Sequence, residues 1–157
     1  MKVDYWELNK FIPSLHAAVP SVIDLMDPLT NELWTYHFVA DLANAFFSID
    51  LAPESQDQFA YSWEGQQWTF TVLPQGYLHS LTICHGPVAE DLAKWPQPPE
   101  VSLFHYIDDI LLTSNFLEEL EKAVIQVLSH LKSCGWVVNE TKLQGPGLSV
   151  KFLGVVW

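Results

Sequence analysis

The sequence predicts an α+β fold, and three observations carry that prediction. Outside one inserted hairpin, the segments read strand, helix, strand, strand, helix, strand, which is the ferredoxin-like or split βαβ order. The strand candidates are β-branched and aromatic runs, whereas the longest helix candidate repeats its apolar residues at helical spacing. A length of 157 residues with 49% hydrophobic content suits one domain with a sizeable core and is too apolar for disorder.

Residues 1–34 read as irregular, punctuated by Pro13, Pro20 and Pro28, with one short helix candidate at Val22–Met26. Thr35–Ala40 is a strand that runs straight into Asp41, and a short helical turn is expected at Asn44–Ser48. After the break at Pro53, Phe59–Trp63 and Gln67–Leu73 flank Glu64-Gly65 as a hairpin, and Leu73-Pro74-Gln75-Gly76 is turn chemistry. Residues 79–94 carry helical apolar spacing through Ile83, Val88, Leu92 and Ala93. Gly86-Pro87 predicts a kink or a split there, because an interior proline removes a hydrogen bond and costs about 3 kcal/mol. Pro96, Pro98 and Pro99 form a connector, and Val101–Ile107 and Ile110–Ser114 are strands on either side of Asp108-Asp109. The clearest helix follows, with Leu117, Leu120, Val124, Val127, Leu128 and Leu131 on one face. Asn115 and Glu118 are expected to form its capping box, and Gly135 its stop. Val150–Val156 is expected to be the last strand.

The charge excludes a self-sufficient nucleic-acid binder. Net charge is −12, with seven Lys and no Arg, whereas affinity for nucleic acid comes from neutralising phosphates. Two cysteines, Cys84 and Cys134, are too few for a disulfide framework, so a reducing compartment is expected. His79, Cys84 and His85 match no zinc spacing. The start lacks a signal run and no stretch reaches the length of a membrane span, so no membrane association and a cytoplasmic location are expected.

The chemistry concentrates at Asp108-Asp109. On its own the pair reads either as a solvated turn or as a site for a hard cation with oxygen ligands. The strand order extends the second reading. The first strand ends at Asp41, the helix returns, and the turn between the next two strands lies at the same end of the sheet. Asp41 is therefore expected beside Asp108 and Asp109, and three carboxylates on one rim make a two-metal phosphoryl-transfer site feasible.

Several stretches in series resemble the retroviral reverse transcriptases. Val39-Ala40-Asp41-Leu42-Ala43-Asn44-Ala45-Phe46-Phe47 is similar to polymerase motif A. Leu73-Pro74-Gln75-Gly76-Tyr77 followed by Ser80 is similar to motif B, and Tyr106-Ile107-Asp108-Asp109 to motif C. Gly135 through Lys142 resembles motif D, Phe152-Leu153-Gly154 the start of the primer grip, and Asp4 through Lys10 a fingers segment. The style is that of the Pol polyprotein of an endogenous, gammaretrovirus-like element, virion-associated in the family. The resemblance implies a polymerase palm with a partial fingers insertion: residues 1–16 and 49–79 as fingers, 17–48 and 80–157 as palm. It also implies that thumb, connection and RNase H domains, and the basic fingers residues that grip the triphosphate, lie outside this chain.

The same resemblance implies roles. Asp41, Asp108 and Asp109 would hold two Mg²⁺ ions, with Mn²⁺ as a substitute, and Lys142 would donate a proton to pyrophosphate. Leu42, Ala45, Phe46 and Gln75 would surround the incoming dNTP, with Phe46 as the steric gate against a 2′-hydroxyl. Tyr106, Ile107, Leu153 and Gly154 would contact the primer with its RNA or DNA template. The implied activity is RNA-directed DNA polymerisation; the alternative is a catalytically incompetent palm remnant that acts as a binding fragment. An RNA-binding split-βαβ module would need a base-stacking signature that is missing. Four positions depart from the family pattern: Trp6, Asn44, Leu81 and Pro87. Absence of Arg beside seven Trp fits decay of methylated CG codons in an old provirus.

Overall fold

The computed structural model describes residues 3–12 and 21–157. In chain order these form α1 (Trp6–Asn9), α2 (Val22–Asn31), β1 (Tyr36–Asp41), α3 (Pro53–Gln56), β2 (Tyr61–Trp63), β3 (Gln66–Trp68) and α4 (Ser80–Ala93). There follow β4 (Val101–Tyr106), β5 (Asp109–Ser114), α5 (Leu117–Ser133), β6 (Gln144–Gly147), β7 (Lys151–Phe152) and β8 (Val155–Val156). The central sheet has the order β4-β5-β1-β6, with every neighbouring pair antiparallel. That is the order a split βαβ fold gives its four strands, so the predicted α+β class holds.

Alternation along β1 and β5 sorts their side chains between two cores. Phe38, Ala40, Ile110 and Leu112 face one layer, where they join Cys84, Val88 and Leu92 of α4 and Leu120, Val124, Val127 and Leu131 of α5. Val39 and Leu111 face the other, with Leu29 of α2 and Val150 and Phe152 around the β7–β8 hairpin. Both faces are covered, which is why these strands read as continuous apolar runs rather than alternating ones. The N-terminal residues also meet the segment that contains Phe59, Gly76 and Leu78. Tyr5 donates its hydroxyl to the Phe59 carbonyl at 3.0 Å, and Asn9 bridges Gly76 O and Leu78 N on the motif-B-like loop. The division of the chain at residues 16 and 17 falls outside the described residues.

Four expectations need correction. The fourth strand of the sheet is β6, not Val150–Val156, which is folded back on itself at Leu153-Gly154 as the β7–β8 hairpin. Gln144-Gly145-Pro146-Gly147 has the composition of a turn, yet as an edge strand it needs few ladder donors and tolerates proline. Gly145, at φ +83°, lies so close to β1 that a Cβ would collide with the His37 carbonyl oxygen, so only glycine fits there. Next, of the kink or split expected at Pro87, the split does not occur: α4 is continuous, and its buried Cys84, His85, Val88 and Leu92 anchor both halves to the core, so tertiary packing outweighs the local cost. Third, the capping box does not form. Asn115 accepts instead from the backbone and hydroxyl of Thr35, and Phe116 is the N-cap of α5. Finally, residues 21–34 are less irregular than expected, because α2 continues through Pro28 to Asn31, capped by Ser21.

Candidate metal centre and active site

β1 and β5 pair in register so that Asp41 lies opposite Asp109, at the end of both strands. Asp108 belongs to the two-residue turn that joins β4 to β5, since Tyr106 pairs with Asp109. Leu42 N–H donates to the Asp108 carbonyl at 2.9 Å and ties that turn to the end of β1. The result is the predicted convergence: Asp41, Asp108 and Asp109 each bring one carboxylate oxygen within 4.8 Å of the others. Among the described residues they are the one such group of three or more His, Cys, Asp or Glu side chains.

The segment after α5 completes the rim. Ala43 N–H donates to Val137 O and Asn139 N–H to Asp41 O, which latch residues 137–139 along the extension of β1. This carries the turn Glu140–Lys142 to the acids, where Lys142 Nζ lies 3.2 Å from Asp41 Oδ2. A cleft of about 460 Å³ then unites Asp41, Asp109, Lys142, Leu153 and Gly154. Thr141, Gln144 and Lys151 also line it. Nothing in the sequence marks these three, because their place depends on the β6 edge strand and the fold-back at Leu153-Gly154. A second cleft of about 350 Å³ brings Phe46 and Gln75 together with Tyr77 and Leu81.

The remaining predicted residues are placed differently. Leu42, Ala45 and Ile107 are buried in the larger core, so their side chains are not open to a ligand. Tyr106 is half-buried against the same core. Of the departures, Asn44 takes φ +52°, a conformation asparagine tolerates better than most residues. Trp6 is exposed, with Lys10 Nζ 3.3 Å over its ring.

Three acids at this spacing repel one another, and burial adds to the cost of charging them. The Asp109 carboxyl is pushed up to about 6, first by burial, then by the charges of Asp108 and Asp41. Asp108 is also raised, again chiefly by burial. Lys142 opposes both, while its own pKa is raised by the Asp41 carboxylate that it contacts. The donor set fits a hard divalent cation: it is made of oxygens alone, on three partly buried carboxylates, and a cation relieves the repulsion they carry.

The reverse transcriptase (RNA-dependent DNA polymerase) family matches residues 1–157. The Gag-Pol polyprotein of gibbon ape leukemia virus is 34% identical over 96% of the chain, and the Pol polyprotein of feline endogenous virus ECE1 is 34% identical over 98%. The chain spans 9% and 15% of the length of those two relatives. Among solved structures, a foamy viral protease-reverse transcriptase in complex with double-stranded DNA matches 99% of the chain and 26% of its own length. Its TM-score is 0.86 and its identity 30%. The same kind of enzyme in complex with an RNA/DNA hybrid matches at a TM-score of 0.84 and 30% identity, over 98% of the chain and 20% of its own length. The chain belongs to the reverse transcriptase family.

Proposed function

We propose that this chain is the catalytic palm, with part of the fingers, of an RNA-directed DNA polymerase that extends a primer 3′-hydroxyl with dNTPs on an RNA or DNA template. The observation that carries this reading is the cleft in which Asp41, Asp109, Lys142, Leu153 and Gly154 meet, with Asp108 at its edge. Asp41, Asp108 and Asp109 supply the oxygen ligands. When bound there, two Mg²⁺ ions, or Mn²⁺ in their place, supply the charge that activates the primer hydroxyl and neutralises the triphosphate and departing pyrophosphate. Lys142, held cationic by Asp41, is the proton donor to the leaving group. Phe46 and Gln75 line the second cleft, where a bulky ring disfavours a ribose 2′-hydroxyl. Leu153-Gly154 and Tyr106 face the primer end. In this reading residues 1–16 and 49–79 are fingers and the rest palm, within a longer Pol product that works in the cytoplasm and virion.

A second reading is favoured by the charge. A net −12 without arginine is unsuited to gripping a template, so the chain can retain the acid centre yet act as a non-catalytic palm. Primer extension on an RNA template with Mg²⁺ and dNTPs separates the two. Extension by the parent and none by Asp108→Asn is the result expected of the polymerase. No extension by a parent chain that still binds Mn²⁺ at the three acids gives the second reading the field.

A further inference from the structure

Beneath the acidic turn lies a pair of histidines that no step of the proposed reaction uses. His85 of α4 and His105 of β4 are both buried, and their rings stack with centroids 4.3 Å apart and planes inclined by 14°. Both reach the backbone of one residue. Ile107 N–H donates to His85 Nδ1 at 3.0 Å, and His105 Nε2 lies 2.7 Å from the Ile107 carbonyl oxygen. These contacts dictate the tautomers. A ring nitrogen that accepts an N–H carries no proton, so neutral His85 keeps its proton on Nε2. A ring nitrogen against a carbonyl must carry one, so His105 is protonated on Nε2 as well. Burial favours the neutral rings, lowering the pKa of His85 and bringing that of His105 down to about 4.

Ile107 is a residue in need of such a grip. Its φ is +58°, a left-handed conformation in which a β-branched side chain is a clear outlier. With Asp108 it forms the two-residue turn between Tyr106 and Asp109, so its backbone angles set the direction in which both acids leave the sheet. Strained backbone persists where its surroundings over-determine it, and that occurs preferentially at functional sites.

We propose that His85 and His105 are positioning residues of the metal centre: two stacked neutral imidazoles hold Ile107 by its N–H and its carbonyl, and so fix the strained turn that presents Asp108 and Asp109 to Asp41. The consequence for metal rests on the reading of the three acids given above, whereas the clamp itself does not. The substitutions separate ring stacking from hydrogen bonding. His85→Phe and His105→Phe keep a flat ring and remove the acceptor or the donor. His85→Gln and His105→Gln return an amide oxygen or N–H at similar reach.

The test uses two readouts on the whole chain, with Mn²⁺ as the probe. In metal-free protein, exchange of the Ile107 amide is expected to quicken about tenfold or more in the Phe variants, and Mn²⁺ affinity to fall by about tenfold, as befits the loss of a buried hydrogen bond. The Gln variants are expected to recover most of both. Phe variants with the parent's exchange rate and Mn²⁺ affinity overturn the proposal. Should they fail to fold, ring ¹⁵N shifts of the parent decide: an unprotonated His85 Nδ1 and a protonated His105 Nε2 support the clamp, and a protonated His85 Nδ1 ends it. A parent chain that binds no Mn²⁺ sinks the metal-centre reading, and Ile107 exchange then decides the clamp alone.

Discussion

Asp109→Asn removes one carboxylate from the three-acid rim, and pH decides what that does to stability. In the folded chain the Asp109 carboxyl sits at about 6, against an ordinary 3.8. The folded state thus binds its proton more tightly than the unfolded state between those values. Its contribution to stability is complete below about pH 4 and is lost as pH rises through about 6. At 1.36 kcal/mol per pH unit the difference corresponds to about 3 kcal/mol. Water reaches the open side of the rim, which screens the repulsion and reduces the expected figure to about 1–2 kcal/mol. Asn is nearly isosteric and does not titrate. In EDTA the variant should match the parent within about 0.5 kcal/mol at pH 4 and exceed it by about 1–2 kcal/mol at pH 7.5. Divalent cation should reverse that order, because Mg²⁺ at about a hundred times its dissociation constant stabilises the parent by about 2.7 kcal/mol and the variant by far less. Urea unfolding at pH 4, 5, 6 and 7.5, with EDTA or Mg²⁺, measures all of this. A variant less stable than the parent at pH 7.5 in EDTA, or a difference that does not grow with pH, would refute the electrostatic account of the rim.

Three further outcomes test other parts of the structure. Lys142→Ala removes the cation that lowers the Asp108 and Asp109 carboxyls, so the Asp109 midpoint, followed by carboxyl ¹³C shifts, should move above about 6. Gly145→Ala forces a Cβ onto the His37 carbonyl at a left-handed backbone position and should destabilise the chain by about 2–4 kcal/mol in urea unfolding; a loss below about 0.5 kcal/mol would contradict the β6 placement. Phe46→Val opens the second cleft and should raise ribonucleotide over deoxynucleotide incorporation by about tenfold in primer extension; unchanged selectivity would remove Phe46 from the steric-gate role.

The sequence revealed the acid centre better than its surroundings, for physical reasons. Asp41 ends a strand whose pattern is unambiguous, and Asp108-Asp109 interrupts two others, so strand order alone brought them to one edge. β6 was hidden because Gln144-Gly145-Pro146-Gly147 has turn composition, and its strand character comes from close approach to His37, more than a hundred residues earlier in the chain. Asn115 looked like a cap because capping is judged locally, whereas its partner is Thr35, 80 residues away. Pro87 looked like a break because propensity counts one lost hydrogen bond and not the buried side chains on either side of it. His105 carries no signal and His85 stands only in a His-Cys-His cluster that matches no zinc spacing, because only the fold stacks the two rings.

Paramagnetic broadening by Mn²⁺ tests the central claim most directly. Titrated into the parent chain at pH 7.5, substoichiometric Mn²⁺ should first erase the amide signals of Asp41, Leu42, Asp108, Asp109 and Lys142, and Asp41→Asn should abolish that pattern. Broadening centred elsewhere, or unchanged in Asp41→Asn, would show that these three carboxylates are not a metal centre.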